Sequence, residues 1–385
     1  MGFLSMGQPC FLRQAKISGQ RYNPQILCFL RYLCVLRFMV LPLLLFCGEI
    51  ETMKAILAEA YGGPEVLTVE DVPVPQVGPH GVLVQVRAVS VNPIDWKLRQ
   101  GSLKALRDYV FPVIWGSDLS GEVVETGGAV TLFKPGDEVY GFKDGNVAKT
   151  FRGTYAEYVA IPEKSLAKKP ANLSFEEAAS VPAAALTAWQ ALLKKGRLKP
   201  GQRVLVHAGA GGVGIFAVQI AKTFGAYVAA TAGAHNQQFL RELGADLAID
   251  YEHERFSERV SGCDVVLDGV GSGVWRDSLS VLKLGGRLIS LVPSAPTDAA
   301  GRAGFVTTVA ARLAAAKINA ALRGRRFAPV FVKPRGGDLE KIGALLEAGK
   351  IRTVIDRVFP LEQIGEAHRL SEAGHVRGKI VLKVS

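Results

Sequence analysis

Glycines at a fixed spacing are the first residues of this sequence that could hold a ligand. The segment "HAGAGGVG" places Gly209, Gly211 and Gly214 in a G-x-G-x-x-G pattern. In a dinucleotide site the first glycine permits a tight turn, the second lets the backbone approach the pyrophosphate, and the third lets a helix pack closely against a strand. The pattern also occurs in ordinary turns, so its meaning depends on the elements on either side.

Those neighbouring elements indicate a β-α-β unit. The β-rich "RVLVH" comes before the loop, apolar residues at helical spacing follow in "IFAVQIAKTFG", and "AYVAATA" is a second β-rich segment. Gly225 is expected to end the helix. The N-terminus of that helix would face the phosphates with free N–H groups and a partial positive charge. We therefore expect the loop, including Ala210, Gly212 and Val213, to bind a dinucleotide.

The remaining segments predict an α/β fold with two different parts. β and α segments alternate after the loop, in "DLAIDY", "DVVLDGVG" and "GRLISLV", which favours a Rossmann-type, doubly wound parallel sheet. Short, turn-rich β segments between Met53 and about residue 178 are typical of a partly open β-barrel. At the C-terminus "RTVIDRVFP" and "GKIVLKVS" are again β-like.

Charge and cysteine content narrow the functional classes. The formal net charge of +11 is spread along the chain without a long basic run, so we expect no nucleic-acid partner, although an anionic cofactor would suit it. Four of the five cysteines lie in the first 47 residues, and only Cys263 follows. The main body therefore has neither a disulfide framework nor a cysteine cluster for structural zinc, which indicates an intracellular, cytoplasmic protein.

Residues 1–52 differ from the rest of the chain. They carry five basic residues and no acid before Glu49, and their uninterrupted apolar run "FMVLPLLLFC" has ten residues. A membrane span needs about 20 apolar residues. An organelle-targeting segment, a weak membrane anchor and a translated leader are three open interpretations. We favour a leader with Met53 as the natural start, and we expect no stable membrane partner.

Seven segments in order resemble one known family. They are "VNPIDWKLRQG", "GSDLSGEVVETG", "FKPGDEVYG", "GTYAEYVAIPEKSLAKKP", "LTAWQAL", "HAGAGGVG" and "GADLAIDY". Together they resemble the medium-chain dehydrogenase/reductase superfamily, and within it the zinc-independent quinone and enone oxidoreductases. The tail is similar to the subgroup of plant alkenal reductases and the mitochondrial reticulon-interacting oxidoreductase. The resemblance covers Met53 to the end.

This resemblance implies a split domain layout. A GroES-like catalytic domain would take residues 53–178 and, after a return of the chain, residues 327–385. A Rossmann cofactor domain would take residues 179–326, with the active site in the cleft. The Ala-rich "VTTVAARLAAAKINAALRGRR" is predicted to be helical. It could cover the cleft or join a dimer surface, and a solvated helix is the simplest expectation.

The same resemblance bears on zinc and on the reaction. Where zinc-dependent relatives carry a ligand histidine, this chain has Ser117 in "GSD", so we expect no metal. Without a metal to lower the pKa of an alcohol, reduction of an activated acceptor is easier than alcohol oxidation. We expect hydride transfer from NAD(P)H to quinones or α,β-unsaturated carbonyls. The alternatives are an NADP-dependent alcohol dehydrogenase or aldehyde reductase, and a non-catalytic nucleotide-binding regulatory protein.

Two residues are the catalytic candidates. Asn92 lies in "VNPID", and the matching family position implies contact with the nicotinamide ribose or the substrate oxygen; the alternative is a turn-forming asparagine before Pro93. Lys97 could polarise the acceptor oxygen or donate a proton; the alternative is a solvated lysine. Asp95 is expected to be structural.

Further residues are expected to bind the cofactor. The resemblance places Thr187 near the nicotinamide, and Val270 lies where its backbone could contact the same ring. Tyr251 would flank the adenine, and Thr231 and His235 could donate hydrogen bonds to a 2′-phosphate.

We expect NADPH rather than NADH, because no acid occurs between Gly209 and Glu242 to hold the ribose 2′-OH. Dual cofactor use stays open, since similar reductases tend to have serine at Gly233 and no arginine precedes Arg241 in this stretch. The expected partners are a small quinone or enone substrate and a second copy of the chain in a homodimer.

Overall fold

The described strands form three sheets, two in a barrel-like part and one in a parallel part. The structure, a computed structural model, describes residues 51–105, 108–144, 152–291 and 301–384, without the side chains of 301–303 and 305. The predicted leader therefore lies outside the described residues, apart from its last two positions. Met53 belongs to the first strand, as the sequence indicated.

The strands are β1 (Thr52–Ala58), β2 (Leu67–Pro73), β3 (Gly81–Val91), β4 (Val113–Ile114), β5 (Asp118–Thr126), β6 (Glu138–Phe142), β7 (Tyr158–Pro162), β8 (Leu166–Lys168), β9 (Arg203–Val206), β10 (Tyr227–Ala232), β11 (Leu247–Asp250), β12 (Cys263–Asp268), β13 (Leu282–Ser290), β14 (Arg326–Pro329), β15 (Ile355–Pro360) and β16 (Lys379–Lys383).

The α-helices are α1 (Pro93–Arg99), α2 (Phe175–Ala179), α3 (Pro182–Trp189), α4 (Gly212–Thr223), α5 (Gln237–Glu242), α6 (Phe256–Arg259), α7 (Trp275–Val281), α8 (Gly301–Leu322), α9 (Gly336–Glu347) and α10 (Ile364–Ala373). A π-helical segment, Gln190–Lys195, continues α3.

The barrel-like part is built on the long strand β3. Antiparallel β5 and β16 flank β3 in the order β15-β16-β3-β5-β6-β8, and β7 also pairs with β3. A second sheet has the order β2-β1-β4. Because β16 pairs with β3, the end of the described chain returns to its beginning, and the residues just before β16 enter the site region.

The parallel part is a six-stranded sheet in the order β11-β10-β9-β12-β13-β14. The chain moves outward from β9 in one direction and then, from β12, in the other. Ligands of such sheets bind at the carboxyl ends of the strands where the order reverses. The glycine loop leaves the carboxyl end of β9, which is at this position. The predicted combination of a GroES-like part with a doubly wound sheet is confirmed.

The edge of the parallel sheet differs slightly from the expected layout. β14 is its sixth strand and ends at Pro329, beyond the boundary placed at residue 326. The Ala-rich segment is the 22-residue helix α8, and Ile318 and Leu322 on it are exposed. Its helical conformation was predicted. Among the described helices, none combines the length and the apolar character needed to cross a membrane.

Candidate functional site

The glycine loop connects β9 to α4 through backbone contacts. Ala208, rather than a glycine, has the left-handed backbone conformation, with φ of 54°. Gly209 donates its N–H to the carbonyl oxygen of Thr231 at 2.8 Å, which ties the loop to β10. Gly211 precedes α4 and provides no side-chain cap. The first N–H groups of α4 are therefore suited to an external acceptor such as a phosphate.

Two glycines of the loop have different steric surroundings. A Cβ atom on Gly214 would lie 2.2 Å from the carbonyl oxygen of Ala208, so α4 and the loop approach too closely for any side chain there. A Cβ atom on Gly211 would meet its nearest neighbour, the same oxygen, at 3.4 Å. A Cβ atom on Gly211 would thus make only an ordinary van der Waals contact. This arrangement fits a pyrophosphate lying against the backbone at the start of α4.

Thr231 supports the loop from below. Its side chain is 2% exposed, its Oγ1 accepts the N–H of Ala208 at 3.3 Å, and it lies 3.2 Å from Nδ1 of His207. Nε2 of His207 is 3.0 Å from the hydroxyl of Ser278. Burial lowers the pKa of His207 to about 4, which is partly opposed by the charge of Asp268. In the structure the hydroxyl of Thr231 is directed at the glycine loop. Its hydrogen bond to a 2′-phosphate stays a prediction.

Asp268 shapes the carboxyl end of β12. Its Oδ1 accepts the N–H groups of Val270 and Gly271, each at 2.9 Å. Its Oδ2 accepts from Trp275 at 2.7 Å and from Ser290 at 2.9 Å. Because the N–H of Val270 already donates to Asp268, the backbone contact predicted between Val270 and the nicotinamide would have to be made by the carbonyl oxygen of Val270. The side chain of Val270 is exposed.

Asn92 is buried, and both polar atoms of its amide have partners. Its Nδ2 donates to Oδ2 of Asp118 at 2.9 Å, and its Oδ1 accepts from Nζ of Lys379 at 2.5 Å. An amide nitrogen carries two hydrogens, so one donor of Asn92 remains for a ligand. The contact that the sequence predicted with ribose or substrate therefore depends on this second hydrogen.

Asp118 joins several elements at one buried carboxylate. It is 0% exposed, and its Oδ1 accepts the N–H of Ala183 at the start of α3 at 2.7 Å. Its Oδ2 accepts from the hydroxyl of Ser90 at 2.7 Å, and Nζ of Lys379 lies 3.4 Å away. Sequence reasoning did not single out this residue, although an acid at the start of the buried strand "DLSGEVV" was a signal.

Lys379 connects this carboxylate to the glycine loop. Its side chain passes so close to α4 that a Cβ atom on Gly212 would lie 3.0 Å from Cδ of Lys379. The preceding Gly378 donates its N–H to the carbonyl oxygen of Ala210 at 2.9 Å. Sequence reasoning missed Lys379 because nothing in "GKIVL" indicates burial. Lys379 thus lies between Asn92 and the glycine loop. Both of these were predicted as site residues, whereas Lys379 was not.

Lys97 and Thr187 are placed by two helices. Lys97 lies on α1, half-buried, with Nζ 5.2 Å from the ring centroid of Trp96, and burial lowers the pKa of its ammonium group. Thr187 lies on α3 and donates its hydroxyl to the carbonyl oxygen of Ala183 at 2.6 Å. α3 begins at the N–H that Asp118 accepts, so the same carboxylate orients the helix that carries Thr187.

Asp95 holds the start of α1. Its Oδ2 accepts the N–H of Asn92 at 2.8 Å and the hydroxyl of Tyr155 at 3.2 Å, and its Oδ1 accepts from Ser117 at 2.9 Å. Burial, together with the nearby charge of Asp118, raises the pKa of Asp95 to about 6, although its hydrogen bond from Asn92 acts in the opposite direction. The expected structural role of Asp95 agrees with this geometry, since it fixes the helix that presents Lys97.

The loop after β10 brings together residues from three parts of the chain. His235 is exposed in the turn Ala234–Asn236, and Tyr251 is 55% exposed just after β11. Arg377 donates from Nε to Oδ1 of Asn236 at 2.8 Å. Sequence reasoning looked for an arginine only within this stretch and so missed Arg377.

The same loop requires a correction. The sequence indicated a site without a carboxylate at the adenine ribose, because no acid occurs between Gly209 and Glu242. In the structure, Glu252 lies against Gly233: a Cβ atom on this glycine would be 2.8 Å from Oε1 of Glu252. The acid comes from the end of the neighbouring strand β11, which a search along β10 could not show.

Potential zinc ligands are sparse among the described residues. Cys263 is buried in β12, and burial raises the pKa of its thiol to about 11. Ser117, at the position matching a ligand histidine, is buried and donates to Asp95. The partly buried side chain of Asp250 and the exposed side chains of Glu252 and His253 are close enough together to share a cation. This group lacks the thiolate that the zinc-dependent relatives supply.

Comparison with known proteins places the chain among oxidoreductases. The Alcohol dehydrogenase GroES-like domain family matches residues 78–171, and the Zinc-binding dehydrogenase family matches residues 243–382. A 2-methylene-furan-3-one reductase from Solanum lycopersicum is 39% identical over 86% of this chain and 79% of its own length. The mitochondrial NAD(P)H oxidoreductase RTN4IP1 of Danio rerio is 32% identical over 86% of this chain and 91% of its own. The solved structure of a quinone oxidoreductase from Coxiella burnetii has 37% identity and a TM-score of 0.75, covering 87% of this chain and 100% of that one.

The two glycines of the loop give a matched pair of variants. We expect Gly214→Ala to lower the free energy of unfolding by about 1–3 kcal/mol, because its Cβ would overlap a backbone oxygen. Gly211→Ala should leave the free energy of unfolding within about 0.5 kcal/mol and weaken dinucleotide binding instead. Chemical denaturation and fluorescence titration with NADPH measure the two effects. Equal loss of stability in both variants would contradict the assignment of Gly211 to the ligand side.

Proposed function

The chain belongs to the medium-chain dehydrogenase/reductase superfamily, and from that membership we propose that it reduces quinones or α,β-unsaturated carbonyls with a hydride from NAD(P)H. The observation that carries this proposal is the open backbone at Gly211 and the start of α4, joined through Lys379 to Asn92. The glycine loop and the candidate acceptor-binding residue Asn92 are thereby linked through one side chain.

The candidate residues suit an acceptor whose oxygen gains negative charge. A reduced nicotinamide, when bound, supplies the hydride. The second amide hydrogen of Asn92 can donate to the acceptor oxygen, and the ammonium group of Lys97 can stabilise charge on it or donate a proton. Burial, which lowers the pKa of Lys97, brings proton donation closer to neutral pH. These residues act on an enolate or phenolate oxygen and do not require a metal.

We propose that the reaction is zinc-independent. The family resemblance sets the buried Ser117 at the position of a ligand histidine, and the buried Cys263, with its raised pKa, is a poor source of thiolate. Alcohol oxidation, the main alternative, needs a group that lowers the pKa of the alcohol, and the hydroxyl of Ser117 does not do this. A nucleotide-binding regulatory protein is the other alternative, and turnover separates it from an enzyme.

NADPH is the proposed preferred cofactor. No acid stands at the end of β10 itself, where an NAD-selective site holds the ribose hydroxyls. His235 and Asn236 lie on the loop that follows, and Tyr251 lies close by at the end of β11. The carboxylate of Glu252 opposes binding of a 2′-phosphate, so kinetics with both nucleotides measure how strong the preference for NADPH is.

A homodimer and a cytoplasmic location complete the proposal. Among the described strands, β14 is at an edge of the parallel sheet, and a sheet edge can add a strand from a second copy. α8, which contacts β14, leaves Ile318 and Leu322 exposed beside it. We propose a cytoplasmic location for the main body of the chain, and an organelle, as in the relative named mitochondrial, is the alternative.

Steady-state kinetics with both nucleotides test the function. We expect NADPH oxidation with a simple quinone or enone, a higher kcat/KM for NADPH than for NADH, and unchanged rates after treatment with a chelator. Tight NADPH binding without turnover on either acceptor would favour the regulatory alternative. A higher kcat/KM for NADH would overturn the cofactor preference, and loss of activity on chelation would overturn zinc independence.

Lys97→Ala tests the proposed role of the ammonium group. We expect kcat to fall about 10²-fold or more, with the dissociation constant for NADPH changed by less than about threefold, because Lys97 is assigned to the acceptor. Lys104→Ala is the matched control, since Lys104 is an exposed lysine just after α1. If kcat is unchanged where hydride transfer limits the rate, Lys97 has no part in the chemistry.

A further inference from the structure

The loop after β10 is where a dinucleotide places its adenine ribose. In a doubly wound sheet, the group at this strand end distinguishes a 2′-hydroxyl from a 2′-phosphate. Here the loop is flanked by an arginine from the C-terminal segment and a carboxylate from the end of β11. We propose that Arg377 and Glu252 jointly set the choice between NADPH and NADH, with Arg377 binding the 2′-phosphate and Glu252 opposing it. This inference rests on the proposed use of a nicotinamide dinucleotide.

Arg377 is fixed on this loop even though it is exposed. Besides its bond to Asn236, its Nη2 lies 3.5 Å from the carbonyl oxygen of His235, and its guanidinium lies 5.1 Å from the ring centroid of Phe239. A guanidinium has five N–H donors, so three remain after these two contacts. Contacts of this kind reduce the rotamer freedom that a surface arginine would lose on binding a phosphate.

The backbone around Arg377 links it to the glycine loop. Its N–H donates to Oδ1 of Asp356 at 3.2 Å. The next residue, Gly378, bonds to Ala210 in the glycine loop, where the pyrophosphate is expected. Because the pyrophosphate and the adenine ribose are adjacent in a dinucleotide, one short segment can contact the loops that hold both.

Glu252 provides the opposing charge. Its Oε1 lies where a side chain on Gly233 would point, and Cε1 of His235 is 3.6 Å from the same position. A serine there would donate a hydrogen bond to a phosphate, whereas a carboxylate repels it. With NADH the same carboxylate can accept a hydrogen bond from the ribose 2′-OH. Glu252 therefore favours NADH, and Arg377 favours NADPH.

The test compares kcat/KM and dissociation constants for both nucleotides in single variants. We expect Arg377→Gln to lower kcat/KM for NADPH about 10- to 100-fold and that for NADH less than about twofold, the size of one charged hydrogen-bond contact. Arg377→Lys should restore part of the lost kcat/KM for NADPH, because lysine keeps the positive charge but cannot make bidentate hydrogen bonds. Glu252→Gln should have the opposite effect: kcat/KM for NADPH should rise and kcat/KM for NADH should fall.

A fragment probe isolates the phosphate itself. Adenosine 2′,5′-bisphosphate should compete with NADPH more strongly than adenosine 5′-monophosphate in the natural chain, and Arg377→Gln should remove that difference. Arg369→Gln, which changes an exposed arginine on α10, is the matched control and should leave both nucleotides unaffected.

The outcomes separate this inference from the proposed function. If the natural chain binds both nucleotides and Arg377→Gln weakens them equally, Arg377 only stabilises the loop and the inference is overturned. Unchanged nucleotide preference in both single variants overturns it as well. If the natural chain binds neither nucleotide in a fluorescence titration, the proposed function itself fails. Thermal unfolding of each variant shows whether the fold is kept.

Discussion

The buried contact between Asp118 and Lys379 is the interaction on which the rest of the site depends. A carboxylate removed from water is tolerated only when charge and hydrogen bonds compensate it. Asp118 receives hydrogen bonds from Ser90, Asn92 and the first turn of α3, and Lys379 supplies the cation. One carboxylate thereby fixes the barrel, the candidate acceptor residue and the helix carrying Thr187.

The segment just before and at the start of β16 transmits this arrangement to the cofactor loop. Arg377 contacts the loop after β10, Gly378 bonds to Ala210, and Lys379 passes Gly212 on its way to Asp118. Three consecutive residues from the C-terminal return thus contact the adenine side, the pyrophosphate side and the acceptor side of the proposed site. A barrel that returned elsewhere would leave the parallel sheet with a glycine loop but no link to Asn92.

The sequence predicted what depends on neighbouring residues. The glycine loop, the parallel strands and α8 follow from local periodicity and turn residues, and all three are present. Contacts between distant residues were not predictable in this way: Lys379 is 261 residues from Asp118, and Arg377 is 141 residues from Asn236. The sequence did not predict Glu252 at this site for a related reason: it approaches Gly233 from the turn after the neighbouring strand β11. Local patterns thus predicted the fold and the glycine loop, whereas the positions of the charged residues around the loop became visible only in the structure.

The coupling between Asp118 and Lys379 in dinucleotide binding tests this account most directly. Dissociation constants for NADPH would be measured for Asp118→Asn, Lys379→Met and the double variant. The account predicts that each single change weakens binding and that the two are coupled by about 1 kcal/mol or more, because Lys379 links Asp118 to the glycine loop. Additive effects, or an Asp118→Asn chain that binds NADPH as tightly as the natural one, would contradict it.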